Sequence, residues 1–280
     1  MIAHLDTISV TAIFVLLGVI EILAGFYQKW NRKDLAVDLI SIAQLALVIK
    51  PGIIFMGGLI ISSLFPNLVM QFASTPLLIG VFLVLVPGDF MHYWYHRKGH
   101  EWQWLWRMHR THHTSSTMSV MISFRENWQW YVCMPELWYG AFMTSMGMGE
   151  AVVISTLVTG VGNVLNHTSV SWDKILYRIP ILRYILERLI QLPSTHRAHH
   201  AVFGPDGKIP MENFGQFFFI WDTIFGTARF PRGNDPIEYG IPNQPKDNIA
   251  SQLWWPFFLS KDKNSIYAKR SYKSDSSSTF

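Results

Sequence analysis

The chain has 280 residues, of which 50% are hydrophobic, 15% aromatic and only 15% charged, with a formal net charge of +4. Soluble domains carry roughly 25% charged residues, so the composition excludes both a disordered chain and an ordinary surface-rich soluble protein. The single cysteine, Cys133, excludes an internal disulfide, a zinc ribbon and a chain-borne iron–sulfur cluster. The basic residues lie beside apolar segments, which fits an anionic membrane surface better than nucleic acid.

Residues 8–27 are apolar apart from Glu21 and long enough for one span. No basic segment precedes them and no small-residue cleavage site is evident, so they do not read as a signal peptide. A loop holding Lys29, Arg32 and Lys33 leads to a second apolar stretch, 35–65, interrupted at Lys50-Pro51-Gly52. It reads as one long kinked helix, with a re-entrant hairpin as the alternative. An uncharged segment, 66–76, precedes a third stretch, 77–95, which runs into Arg97 and Lys98. Residues 131–165 are apolar around Met146-Gly147-Met148-Gly149, a length suited to two helices folded back, 131–147 and 149–166. The positive-inside rule places 29–34 and 97–110 in the cytoplasm and 66–76 outside. From Ser171 the chain turns polar, basic and aromatic, and 171–260 reads as a cytoplasmic cap. The Lys- and Ser-rich tail 261–280 is expected to be disordered. The expected fold is all-α: a membrane helical bundle over 1–170 under a histidine-rich helical cap.

Ten of the 11 histidines cluster. His92, His96 and His100 form the first group. His109, His112 and His113 form the second, and His196, His199 and His200 the third. His167 follows Asn166. On a helix, residues three or four apart share a face, so each group projects imidazoles toward one point, as helix bundles do when they build metal sites in their cores. A lone membrane-proximal histidine is more often packed than ligating, but two His-x-x-His-His boxes beside a His-x-x-x-His box are not a chance pattern. Nine imidazoles exceed the four positions of a structural zinc site and are about enough for two metals with open positions. Spacing alone does not choose between the His92/His96 and His96/His100 pairs.

At these boxes the chain resembles the fatty acid hydroxylase / sterol desaturase superfamily of integral-membrane, non-haem diiron oxygenases. The resembling segments run from Gly88-Asp89-Phe90 to His100, from Leu105 to Ser116, through Asn166-His167, from Pro193 to His200, and from Ile220 to Thr227. The last stretch looks most like the alkylglycerol monooxygenase branch. The family's first box, His-Arg-x-x-His, maps onto His96 and His100. The resemblance therefore implies His96, His100, His109, His112, His113, His167, His196, His199 and His200 as ligands of two iron ions. His92 becomes an extra histidine beside them, and Asp89, Glu126, Asn163, Asn166 and Asp222 become candidates to orient the ligands. The Pro/Gly-containing segment Ala201–Glu212 departs from the family's pattern.

The activity implied is O2-dependent hydroxylation of a lipid C–H bond on a fatty acyl, sterol or ether-lipid substrate. A desaturase on the same site is the alternative. A histidine-rich metal transporter or storage protein is a third reading, but it predicts histidines spread through the spans rather than gathered at one end. No dinucleotide fingerprint, second cysteine or haem module is present, so electrons must come from an external donor: ferredoxin, cytochrome b5 or a reduced pterin. Arg97, Arg110 and Arg197 read as anchors to headgroups or carboxylates. Trp102, Trp104, Trp106, Trp128, Trp130, Trp254 and Trp255 read as an interfacial belt. The location expected is a bacterial inner membrane, with endoplasmic reticulum as the alternative.

Overall fold

The computed structural model describes residues 5–26, 31–204, 207, 209–231, 238–243 and 247–268. Among them the secondary structure is helical, with isolated bridges and no strand. Helix α1 spans Leu5–Leu23, α2 Arg32–Leu64 and α3 Leu77–Glu101. Next come α4, Gln103–His113, α5, Trp128–Cys133, α6, Pro135–Met143, and α7, Gly149–His167. The remaining helices are α8, Pro180–Leu189, α9, Pro193–His199, α10, Ile220–Phe225, and α11, Ile249–Trp254.

Three segments are long and apolar enough to cross a membrane: 32–64, 77–101 and 135–167. Their outward faces carry Leu47, Val48, Phe55, Leu78 and Phe82 exposed, as lipid-facing surfaces require. The stretch 35–65 is one continuous helix and not a hairpin. A π-helical turn at Leu45–Ile49 precedes Pro51 and absorbs the proline that cannot donate within the helix. The apolar run of α1, Val10–Leu23, is shorter than the 8–27 span expected, and residue 27 lies outside the described residues. Glu21 is fully buried there, clasped by Val120 N, Ser169 N and the Thr168 hydroxyl.

Helix α3 continues through Pro87-Gly88, with Asp89 in its interior. Pro87 cannot donate to the carbonyl of Leu83, four residues back. The hydroxyl of Tyr139 donates to that carbonyl instead, at 2.7 Å, tying α6 to α3. Between α6 and α7 the chain bends at Gly147, where φ is 100°. In a straight helix, residues 140 and 152 would stand about 18 Å apart. A Cβ on Gly140 would lie 3.5 Å from Val152, so the two arms fold back on each other, and α7 returns to the level of the histidines. The Gly147 bend has no room for a side chain, because the Ala73 backbone lies 2.7 Å from where a Cβ would sit.

The polar stretch after Ser171 packs directly on the histidine-bearing ends of α3 and α7. Asp89 accepts from Phe217 N, Phe218 N and the Trp221 indole, and Asn166 donates to the carbonyl of Gln216. The 261–280 tail was expected to be disordered, but its first part folds back. Tyr267 is fully buried against Thr111 and beneath Arg110. Residues 269–280 lie outside the described residues.

Candidate metal centre

The nine histidines singled out by the boxes and by Asn166-His167 converge as two adjoining groups. His96, His100, His109, His113 and His199 form one, and His112, His167, His196 and His200 the other. Within each group the nitrogens lie within 4.8 Å of one another. All are buried except His100, which is half-buried.

The division follows from helical geometry. His109 and His113 are four apart on α4 and share a face, while His112 points about 100° away. His196 and His200 are likewise four apart, and His199 points away from them. In each box the outer pair serves one group and the inner histidine crosses to the other. The rings of His113 and His200 stack at the junction, 4.4 Å between centroids.

The backs of the rings are tethered. Nδ1 of His96 donates to the Phe214 carbonyl at 2.8 Å, that of His167 to the Asn163 carbonyl at 2.8 Å, and that of His199 to the Glu212 carbonyl at 2.7 Å. His109 Nδ1 donates to Glu126 Oε1 at 2.9 Å. Gln191 lies 3.4 Å from His196 Nδ1, and its amide oxygen otherwise has no partner. Orienting that oxygen toward Nδ1 satisfies both groups. These tethers fix the proton on Nδ1 and leave Nε2 as a bare lone pair facing inward.

That inward face fits a cation. The Nε2 atoms of His96, His100 and His199 are buried without a partner. Others confront one another: His167 and His196 Nε2 stand 2.8 Å apart, and His112 and His167 Nε2 3.2 Å apart. Two bare lone pairs at such distances repel, and a metal between them removes the conflict. An all-imidazole donor set suits iron, zinc, copper or nickel. Burial holds His109, His112, His113, His196 and His200 well below the ordinary 6.5, with neighbouring imidazoles adding to the shift. His199 is lowered to about 4 by burial, against the pull of the Glu212 carbonyl. Neutral imidazoles are the ligating form. Burial pushes the Glu126 carboxyl well above its usual range, and a nearby cation would favour its ionised form.

The other residues fall into distinct places. His92 joins neither group, and its Nδ1 pairs with Glu136 Oε1 at 2.5 Å. Asp89 spends its hydrogen bonds on Phe217 N, Phe218 N and the Trp221 indole, clamping 217–221. Asp222 acts one layer out: it accepts from Phe214 N, Gly215 N and the Thr227 hydroxyl, holding the loop whose carbonyl tethers His96. Asn163 contributes its backbone carbonyl, while its side chain donates to Ser123 O at 2.6 Å. Arg97, Arg110 and Arg197 meet Glu101, Asp247 and Asp173. Trp130 is no belt residue: it is buried and stacks on His109 at 4.2 Å, whereas Trp102 and Trp104 are exposed. Phe214, Glu212 and Gln191 were not singled out from sequence. A backbone carbonyl carries no residue-type signal, and a lone glutamine has none of its own.

Beside the histidines lies a cavity of about 340 Å³. Ile53, Ile54, Val84, Leu85, Ala141 and Val152 line its apolar part, and His96, His109, His112, His167 and His196 also reach it.

Three comparisons with known proteins bear on this arrangement. Alkylglycerol monooxygenase from Homo sapiens is 25% identical over 164 residues, covering 55% of this chain and 31% of that protein. Ornithine lipid hydroxylase OlsE from Rhizobium tropici is 23% identical over 285 residues, covering 96% of this chain and 78% of that protein. Very-long-chain aldehyde decarbonylase GL1-6 from Oryza sativa subsp. indica is 26% identical over 181 residues, covering 61% and 25%. The chain spans about a third of the length of the alkylglycerol monooxygenases it matches. No solved structure matches it. The fatty acid hydroxylase family model matches residues 81–227, just over half the chain. That stretch begins on α3 one turn before the cavity-lining Val84, encloses all nine clustered histidines and ends at Thr227, the residue bonded to Asp222, and the chain thus belongs to the fatty acid hydroxylase family.

Proposed function

We propose that the protein is a membrane-bound diiron oxygenase that hydroxylates a lipid C–H bond with O2 and an external reductant. The observation that carries this reading is the pair of inward-facing imidazole groups beside an apolar cavity within a membrane bundle. Hydroxylase and monooxygenase relatives support the reaction class. Histidines 96, 100, 109, 113 and 199 would hold one iron, and 112, 167, 196 and 200 the other. When bound, the irons would supply the reduction of O2 and the oxidation of an unactivated C–H bond.

The chain supplies the rest. The apolar lining from Ile53 to Val152 takes up an acyl or alkyl chain and keeps water from the reacting carbon. The Nδ1 tethers hold the rings of His96, His109, His167, His196 and His199 against rotation, so the centre needs little reorganisation when substrate arrives. Trp130, stacked on His109, closes one side of the centre. Electrons come from a separate donor: ferredoxin, cytochrome b5 or a reduced pterin. A bacterial inner membrane, with the histidines on the cytoplasmic side, is the location we favour. The bacterial relative matched along nearly the whole chain supports it.

The test is metal content in detergent-purified protein, measured by plasma mass spectrometry. About two irons per chain are expected, with a deficit in both His112→Ala and His199→Ala. Iron-loaded protein is then given candidate lipids, reductant and O2. A product heavier by one oxygen supports hydroxylation, and one lighter by two hydrogens supports the desaturase. No transition metal after iron reconstitution, or metal unaffected by both substitutions, overturns the proposal.

A further inference from the structure

A charged group facing a cavity inside a membrane bundle is costly and needs a reason. Four carboxylate or ammonium groups line this cavity: Lys50, Asp89, Glu126 and Glu136. Both Asp89 oxygens are occupied by donors from 217–221, and Glu126 tethers His109. Glu126 and Glu136 each keep a buried Oε2 with no hydrogen-bond partner, but Glu136 stands apart from the nine clustered histidines: its Oε1 is bonded to His92, which joins neither group. Both side chains are mostly buried, at 12% exposure for His92 and 15% for Glu136. His92 stands one helical turn from His96, with 5.8 Å between ring centroids.

We propose that the Glu136–His92 pair is a substrate-recognition subsite, in which Glu136 Oε2 accepts a hydrogen bond from a hydroxyl, amide or ammonium group on the lipid. The inference rests on the proposed lipid-oxidising role of the same cavity and deepens it. His92 fixes the carboxylate rotamer through Oε1 and leaves Oε2 to the ligand. The apolar wall holds the hydrocarbon. Because the subsite lies one turn from the histidine groups, the carbon presented to them lies a few bonds from the polar group, not at the far end of the chain. A bare alkane leaves Oε2 desolvated and unpaired, and a fatty acid in its carboxylate form adds repulsion.

The test is equilibrium binding to the full chain in detergent, read by intrinsic tryptophan fluorescence, without reductant. The probes are hexadecane, 1-hexadecanol, hexadecylamine and palmitate. A hydrogen bond to a charged group is worth enough for at least about tenfold in affinity. The alcohol, the amine or both should exceed hexadecane and palmitate by that factor, and the alcohol-to-amine ratio identifies which donor the site prefers. Glu136→Leu should abolish the preference. Glu136→Gln should keep it for the alcohol and weaken it for the amine. Iron content, measured in parallel, should be unchanged in both variants. Equal binding of all four probes to wild type, or a preference surviving in Glu136→Leu, overturns the subsite. Failure of the iron centre would instead appear as absent metal with the binding preference intact.

Discussion

Glu126 stands behind both histidine groups at once. Its Oε1 accepts from His109 Nδ1 at 2.9 Å and lies 3.8 Å from Nδ1 of His112. His109 faces the five-histidine group and His112 the four-histidine group, so one buried carboxylate backs a ring in each.

Removing it should therefore weaken both halves of the centre. Losing such a partner typically costs about 10–100-fold in metal affinity. Glu126→Ala should lose iron to a chelator correspondingly more readily than wild type. Glu126→Gln, which keeps an acceptor for His109, should fall between. Iron content across a chelator series checks both.

Stability of the metal-free chain should fall in acid. The histidines at 109, 112, 113, 196 and 200 are held below 6.5, and His199 at about 4. Between about pH 6.5 and pH 4 the unfolded chain binds more protons than the folded one, so stability rises with pH through that window. Glu126 and Asp222, both raised by burial, act in the opposite sense, but the six histidines outnumber them. Thermal melting from pH 7.5 to 5 should show a falling midpoint, and a flat profile would contradict the buried neutral histidines.

Asp222 offers a test at one remove. Asp222→Ala frees the Phe214–Gly215 peptide groups and loosens the carbonyl that tethers His96. Iron binding should weaken although no histidine has changed. Asp222→Asn, with one acceptor oxygen left, should be milder. Equal iron retention in both variants and wild type would sever the link between this loop and the centre.

Gly147→Ala should destabilise the helical hairpin without touching the centre. The residue sits at φ 100° with Ala73 backbone atoms where a Cβ would go. Strain of this kind is worth roughly 1–3 kcal/mol. A lower melting temperature in detergent with unchanged iron per folded chain is the expected result.

The convergence of the histidines was legible because helical period turns spacing into direction: His-x-x-His-His cannot avoid placing its first and last rings together, but spacing did not show that the inner histidine of each box joins the other group. The choice between His92 and His100 was not legible from spacing. All three lie along one stripe, and only the partner Glu136, 44 residues away, takes His92 out of the group. Nor could the sequence reveal the tethers at Phe214 and Glu212, since a carbonyl is the same on every residue. Pro87-Gly88 is a pair that often interrupts a helix. The helix continues because Tyr139 supplies the hydrogen bond that Pro87 cannot, a long-range rescue with no local signature. The buried Tyr267 escaped composition for the same reason: it sits in a segment rich in Lys and Ser, and its pocket is built by Thr111 and Arg110.

The crossing of the inner histidines makes the two boxes interdependent. With His112 lent to one group and His199 to the other, α4 and α9 are laced together like two laces through shared eyelets. In the proposed two-iron centre neither ion would be housed by one box alone, so no fragment carrying a single box would retain half a centre. Because each box contributes to both groups, an ion held in one group would brace the rings of the other, and iron should enter as a pair rather than one at a time.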